Sequence, residues 1–244
     1  MTANACEWVE PQPVSPPPDV LTLAGDDRLL ADALVRRGLN TAETAQAFLD
    51  PTRYYIPTPP EELPDMDKAV ERIEAAIRSG ERVGVWGDFD VDGQTATALL
   101  VSGLRQLCAD VVYYVPVRAR ESHGVAIAPL KSFLEKGVQL VITCDTGVSA
   151  ADAVLYAQQQ GIGFIVTDHH TLPPQLPPAL AVVNPQRLEP NHPLSFLCGV
   201  GCAFKLVEAL YQRAGRNPEL ELFYDLVAIG TIADMAELRG DNRY

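Results

Sequence analysis

From residue 82 onward the chain alternates short apolar runs with longer amphipathic stretches. "RVGVWGDFD", "VVYYVPV", "QLVITCDTG", "IGFIVTDHH" and "LAVVNP" read as strands, each apolar core bounded by turn-forming residues. Between them, "QTATALLVSGLRQLC", "APLKSFLEKG" and "SAADAVLYAQQQG" carry apolar positions at helical spacing. "GCAFKLVEALYQRAG" and "ELELFYDLVAIGTIADMA" do the same at the end of the chain. Strands alternating with helices predict an α/β fold: a doubly wound, mostly parallel five-stranded sheet with helices on both faces. In such a sheet ligands gather outside the carboxyl ends of the strands.

The first part of the chain has another texture. Residues 1–20 include "PQPVSPPPDV" and predict a Pro-rich flexible tail. "DDRLLADALVRRGLNTAETAQAFLD" predicts two short helices, broken at Gly38-Leu39-Asn40 and resumed after Thr41 as a cap. An irregular "PTRYYIPTPPEELPDM" follows, then an amphipathic helix, "DKAVERIEAAIRSG", stopped by Gly80. The expected organisation is a tail at 1–20, a small helical N-terminal arm at 21–80, and the α/β domain at 81–244.

Three of the predicted strands run into acids. The first leads to Asp88, Asp90 and Asp92 within five positions, the third to Asp145, and the fourth to Asp168-His169-His170. Asp234 ends a further apolar stretch. Burying like charges is unfavourable on both desolvation and repulsion, so a cation is required among them. Oxygen and imidazole donors without a thiolate cage suit Mn²⁺ or Mg²⁺. More ligands converge than one open catalytic ion can use, and two ions sharing a carboxylate are the recurring apparatus of phosphoester hydrolysis.

Charge and composition then set limits. A net charge of −13 excludes a broad basic nucleic-acid surface, and both parts are acidic: 14 acids against 7 bases over 1–80, 18 against 12 over 81–244. It leaves room for a polyanionic substrate, because bound cations reverse the sign locally. Five cysteines without a framework spacing favour reduced thiols and a cytoplasmic setting. Cys198 and Cys202, with His192, fit no common zinc spacing. Trp86, Tyr113 and Tyr114 lie in strands and are expected in the core.

The motifs "GDFDVDG", "CDTGVSA", "VTDHH" and "GTIADMAEL" together resemble the DHH phosphoesterases, and within them the RecJ-like single-strand-specific exonucleases, over roughly residues 28–244. The resemblance implies metal ligands at Asp88, Asp90, Asp145, His169 and Asp234, with Asp145 as the bridge between two ions, Mn²⁺ or Mg²⁺. It makes Asp92 and His170 near-site residues that orient ligands or contact the scissile phosphate, and Asp168 a residue that orients a histidine. Gly93 and Thr95, in the small-residue turn before a helix, are expected to offer backbone N–H groups to a phosphate, as is the "CGVGCAF" turn unless it serves close packing. Arg118 is expected to bind a substrate phosphate. RecJ-like sequences carry an aromatic flanked by glycine soon after this arginine; here the stretch reads "ESHGV", and His123 departs from the pattern.

The implied activity is a metal-dependent 5′-to-3′ exonuclease on single-stranded DNA, serving DNA repair and recombination in the cytoplasm. A single-strand-binding protein or a helicase would be its companion, the chain would be a monomer, and no membrane would be involved. Two alternatives stand beside it: a DHH hydrolase of oligoribonucleotides, cyclic dinucleotides or pyrophosphate, and an inactive scaffold descended from a nuclease. RecJ-like enzymes continue into a second, DHH-associated domain; the sequence stops at "GDNRY", where a linker would begin, which leads us to expect a fragment or a short relative.

Overall fold

The computed structural model describes residues 9–244; part of the expected Pro-rich tail, residues 1–8, lies outside them. The described residues divide into two units, one running up to Pro57 together with Tyr244, the other Thr58–Arg243.

In the first unit, residues 9–17 have no regular structure, and the expected tail is shortened by a helix, α1 (Pro18–Leu23), that a Pro at its first position starts. Then come α2 (Arg28–Arg36), α3 (Ala42–Leu49) and a single turn, α4 (Pro51–Tyr54), inside the stretch expected to be irregular. Asp27 caps α2 by accepting from Leu29 and Leu30 N–H, and Thr41 caps α3 by accepting from Thr44 N–H at 3.2 Å. Gly38, at φ +80°, makes the break between them. Val20, Ala24, Ala31, Leu34 and Ala45 form a small core.

The second unit holds α5 (Met66–Ser79), β1 (Arg82–Trp86), α6 (Val91–Gln106), β2 (Asp110–Tyr114), α7 (Ile127–Leu134), β3 (Leu140–Cys144), α8 (Ala151–Gln159), β4 (Gly163–Thr167), β5 (Ala181–Val183), α9 (Gly199–Ala214) and α10 (Tyr224–Ala233). The strands form one sheet in the order β2-β1-β3-β4-β5, every pair parallel. Side chains alternate between faces. Val83, Val85, Leu140, Ile142 and Ile165 join a core with α5, α6 and α9, while Trp86, Val141, Phe164 and Val166 join a second core with α7 and α8. Helices therefore cover both faces, as a buried parallel sheet requires.

The expected arm extends to residue 80, but α5 packs on the sheet: Met66, Ala69, Val70, Ile73 and Ala76 are buried in the larger core. Its amphipathic stripe is long enough to cover a sheet face, and periodicity alone does not say which partner a stripe meets. Tyr113 is also a correction. It is 54 % exposed, because β2 is an edge strand and its alternate side chain points away from the core. The single closing helix expected over 219–236 is instead a 3₁₀ stretch, Asn217–Phe223, followed by α10, which stops at Asp234. Among the described residues, no helix is long and apolar enough to cross a membrane.

The order 2-1-3-4-5 reverses direction between β1 and β3. The crevice of a doubly wound sheet opens at that reversal, at the carboxyl ends of the strands.

Candidate metal centre

The loop after β1 carries Asp88, Asp90 and Asp92 into the crevice. Asp90 caps α6, its Oδ1 accepting from Gly93 N–H at 2.8 Å. Asp92 sits in the first turn of α6 and is 2 % exposed. Its Oδ2 accepts from Gly199 N–H at 2.6 Å and its Oδ1 from Val200 N–H at 2.8 Å, so one carboxylate joins the N-termini of α6 and α9. The "CGVGCAF" turn thus serves close packing, and its first N–H groups are occupied. A Cβ on Gly199 would lie 2.5 Å from Asp145 Cβ and Oδ1, and one on Gly230 would lie 2.4 Å from Thr95 Oγ1. Glycine at these points lets α9 and α10 approach the acids.

Asp145 follows β3 in the left-handed region, φ +60°, and is 1 % exposed. His169 Nε2 lies 3.1 Å from Asp145 Oδ1 and 3.8 Å from Asp92 Oδ2. The shorter approach is off the line of a hydrogen bond, for Asp145 Oδ1 is buried without a hydrogen-bond partner. Asp168, after β4, acts as a clamp. Its Oδ2 accepts from Val148 N–H at 2.8 Å; its Oδ1 accepts from His169 N–H at 2.7 Å and pairs with His170 Nδ1 at 2.7 Å. The histidine side chain that Asp168 holds is that of His170.

Asp145, His169 and His170 offer ligand atoms all within 4.8 Å of one another, and so do Asp92, His169 and Asp234. Asp234 is the C-cap of α10, where the helix dipole disfavours an anion, and a carboxylate there is relieved by a nearby cation. Asp88 and Asp90 join neither group. Asp88 turns its Oδ1 to Phe89 N–H (2.6 Å) and its Oδ2 to His123 Nδ1 (3.1 Å), and Asp90 is engaged in capping. Both remain close enough for their charge to be felt, Asp88 by His170 and Asp90 by Asp145.

The electrostatics follow from burial. Desolvation, reinforced by Asp92 and Asp90 and only partly offset by His169, pushes Asp145 up to about 7. Burial also raises Asp92, against the Val200 N–H contact. His169 is raised despite burial, by Asp145, and the Asp168 contact lifts His170 to about 9. Burial acts to raise Asp168 too, yet His170 and Val148 N–H hold it below the ordinary carboxylate range. Among the described residues, the ion-pair partners of Asp88, Asp92, Asp145 and Asp168 are histidines only. With one acceptor orphaned, an oxygen and imidazole donor set and no lysine or arginine neutralising it, the cluster fits a divalent cation.

The remaining expected residues fall as follows. Gly93 is buried, gives its N–H to Asp90, and lies so close to Asp88 that a Cβ would be 2.7 Å from that residue's own Cβ. Thr95 is buried with its hydroxyl donated to Val91 C=O. Neither presents a free donor to a phosphate, a correction that follows at Gly93 from Asp90 being the helix cap and at Thr95 from its place inside the helix. Arg118 is exposed, its guanidinium 5.4 Å from the centre of the Phe89 ring. Cys198 and Cys202 contact Thr231 Oγ1 and Asp168 C=O and belong to neither ligand group. Sequence reasoning marks His123 only as a departure; the signal for its place beside Asp88 is a third histidine in a strand-end loop.

The DHH family, N-terminal domain, matches residues 82–231. The single-stranded-DNA-specific exonuclease RecJ of Bacillus subtilis is 41 % identical over 217 residues, 88 % of this chain and 27 % of that protein. RecJ of Haemophilus influenzae is 42 % identical over 226 residues, 89 % of this chain and 38 % of that protein. The chain thus spans between a quarter and two fifths of these relatives' length. Among solved structures, exonuclease RecJ bound to manganese superposes with a TM-score of 0.71 at 40 % identity, covering 77 % of this chain and 47 % of that one. RecJ of Thermus thermophilus in complex with Mn²⁺ gives 0.75 at 35 % identity, covering 94 % and 33 %.

Proposed function

The chain belongs to the DHH family, and from that premise we propose that it is the catalytic part of a divalent-metal-dependent phosphodiesterase that shortens single-stranded DNA from its 5′ end. The reading extends to DNA repair and recombination in the cytoplasm, with Mn²⁺ or Mg²⁺ as cofactor. It also includes a monomeric chain working beside a single-strand-binding protein or a helicase. The observation that carries it is the buried Oδ1 of Asp145, which has no hydrogen-bond donor and only the His169 imidazole beside it at 3.1 Å, close to Asp92 at the sheet's reversal. The relatives named single-stranded-DNA-specific exonucleases, and the RecJ structures in complex with Mn²⁺ and Mg²⁺, support it.

In this reading Asp88, Asp90, Asp145, His169 and Asp234 would hold two cations, Asp145 being the ligand they would share. The cations would supply Lewis-acid charge to the attacking water and to the phosphate oxygens. The chain's own work is positional. Asp92 ties the starts of α6 and α9 beneath the cluster, and Asp168 fixes His170 with its ring 4.5 Å from that of His169. His170, held through Nδ1 by Asp168, would contact the scissile phosphate. Arg118 at the rim meets a neighbouring phosphate. Groove and backbone contacts of this kind read single-strandedness rather than base sequence.

The test is hydrolysis of a 5′-phosphorylated single strand by the chain with Mn²⁺, at low salt. Release of nucleotides from the 5′ end, with blunt duplex spared and His169→Ala inactive, is the expected result. Cleavage of short RNA or a cyclic dinucleotide with DNA untouched would move the reading to a small-substrate hydrolase. Bound metal without hydrolysis of either would leave a scaffold.

A further inference from the structure

The geometry points to His123 as a positioning residue that holds Asp88 in its place at the site, an inference that rests on Asp88 facing the cations. The loop between β2 and α7 is folded back on itself by Glu121. That carboxylate accepts from Tyr114 O–H and from Val117 N–H (2.6 Å), and the Arg120 and Glu121 N–H groups both bond Val117 C=O. Gly124, at φ +93°, turns the chain immediately after His123, a conformation that residues with a side chain rarely adopt. The loop so shaped lays the His123 ring 4.2 Å from the Phe89 ring, centre to centre, with Nδ1 3.1 Å from Asp88 Oδ2.

Asp88 is 3 % exposed, and its Oδ1 is already held by Phe89 N–H at 2.6 Å. Among the described residues, His123 is the one side chain hydrogen-bonded to it. Since an ionised carboxylate only accepts, His123 donates Nδ1–H and leaves Nε2 outward. Two bonds, one to each oxygen, then fix the carboxylate plane while each oxygen keeps a lone pair for a cation. Outer partners of this kind orient metal-binding carboxylates and are worth about 10–100-fold in metal affinity. The imidazole side chain is 69 % exposed, which places His123 at the lower end of that range.

Two variants separate the hydrogen bond from the ring contact. His123→Phe keeps a ring against Phe89 and removes the donor. His123→Asn keeps a donor near the place of Nδ1 and removes the ring. Calorimetric titration of Mn²⁺ into the metal-free chain should show His123→Phe binding about tenfold more weakly and His123→Asn close to the parent. Thermal melting without metal should be alike for all three, because the residue is at the surface. Equal or tighter Mn²⁺ binding by His123→Phe, or an equal loss in both variants, would overturn the assignment while leaving the metal reading intact. A parent chain that bound no Mn²⁺ would overturn both.

Discussion

Replacing Gly199 with alanine tests whether the approach of α9 to Asp145 is as tight as the structure shows. The added Cβ would stand 2.5 Å from Asp145 Cβ, 2.5 Å from Oδ1 and 2.6 Å from Cγ. Ordinary carbon contacts are about 3.5–4.0 Å, so something must move by about 1 Å. Asp145 cannot give way easily, since its backbone already occupies the left-handed region at φ +60°. Moving α9 instead would break the 2.6 Å bond from Gly199 N–H to Asp92 and unseat a buried carboxylate. Overpacking of this kind costs about 1–3 kcal/mol. At about 2–4 °C per kcal/mol for a chain this size, the melting temperature should fall by about 2–12 °C. The assay is scanning calorimetry of the metal-free protein, repeated with Mn²⁺. The metal-induced increment should shrink as well, because the displaced group belongs to the cluster. Gly201→Ala is the control: its closest neighbour is Leu197 Cδ2 at 2.9 Å, the far end of a side chain that can turn away, and no atom of the site is among its nearest neighbours. An unchanged melting temperature and increment in Gly199→Ala, or equal losses in the two variants, would refute the reasoning.

Three further outcomes follow from other parts of the molecule. Lys205, 3 % exposed, gives its ammonium to Thr58 C=O, Glu208 and Asp241, so Lys205→Met leaves buried carboxylates uncompensated. A loss of about 3–5 kcal/mol in urea unfolding is expected, and a loss under about 1 kcal/mol would contradict it. Asp65 is raised by burial but lowered more by Lys68, Arg187 and Val182 N–H, and it sits below its ordinary 3.8. Its contribution is therefore present above about pH 4 and fades as pH falls through the folded value, and Asp65→Asn should flatten the acid limb of the melting profile; a parallel profile would speak against this. Asp145→Asn should raise the metal-free melting temperature at pH 8. A carboxyl lifted to about 7 costs stability as pH rises from the unfolded value through 7, and the amide escapes that loss.

The sheet is legible because its strands are short apolar runs bounded by turn residues, and acids mark the ends of β1, β3 and β4. The helices are legible by period, yet period does not name a partner. Hence the pattern assigns α5 to an arm, while its buried stripe belongs to the sheet. Tyr113 departs from expectation for a related reason, since being an edge strand is a property of sheet order rather than of the strand's own residues. At the site, the family resemblance implies ligands at Asp88, Asp90, Asp145, His169 and Asp234, with Asp92 and His170 beside them. The fold brings Asp145, His169, His170, Asp92 and Asp234 into overlapping groups and leaves Asp88 and Asp90 outside them. Residue types and spacing do not reveal that Asp90 spends an oxygen capping α6 and so occupies Gly93 N–H, nor that the Thr95 hydroxyl turns back to Val91 C=O. Nor do they reveal His123 reaching Asp88, because that contact depends on a loop folded by Glu121 and Gly124.

The central claim is that the buried acids at the reversal of the sheet form a divalent-cation site. Calorimetric titration of Mn²⁺ into the metal-free 244-residue chain at pH 7.5, alongside Asp145→Asn, addresses it most directly. The account predicts saturable binding by the parent, with proton release because His169, raised above its ordinary value, must bind as the neutral imidazole, and loss of most of that binding in the variant. No saturable binding by the parent, or equal affinity in a folded Asp145→Asn, would contradict it.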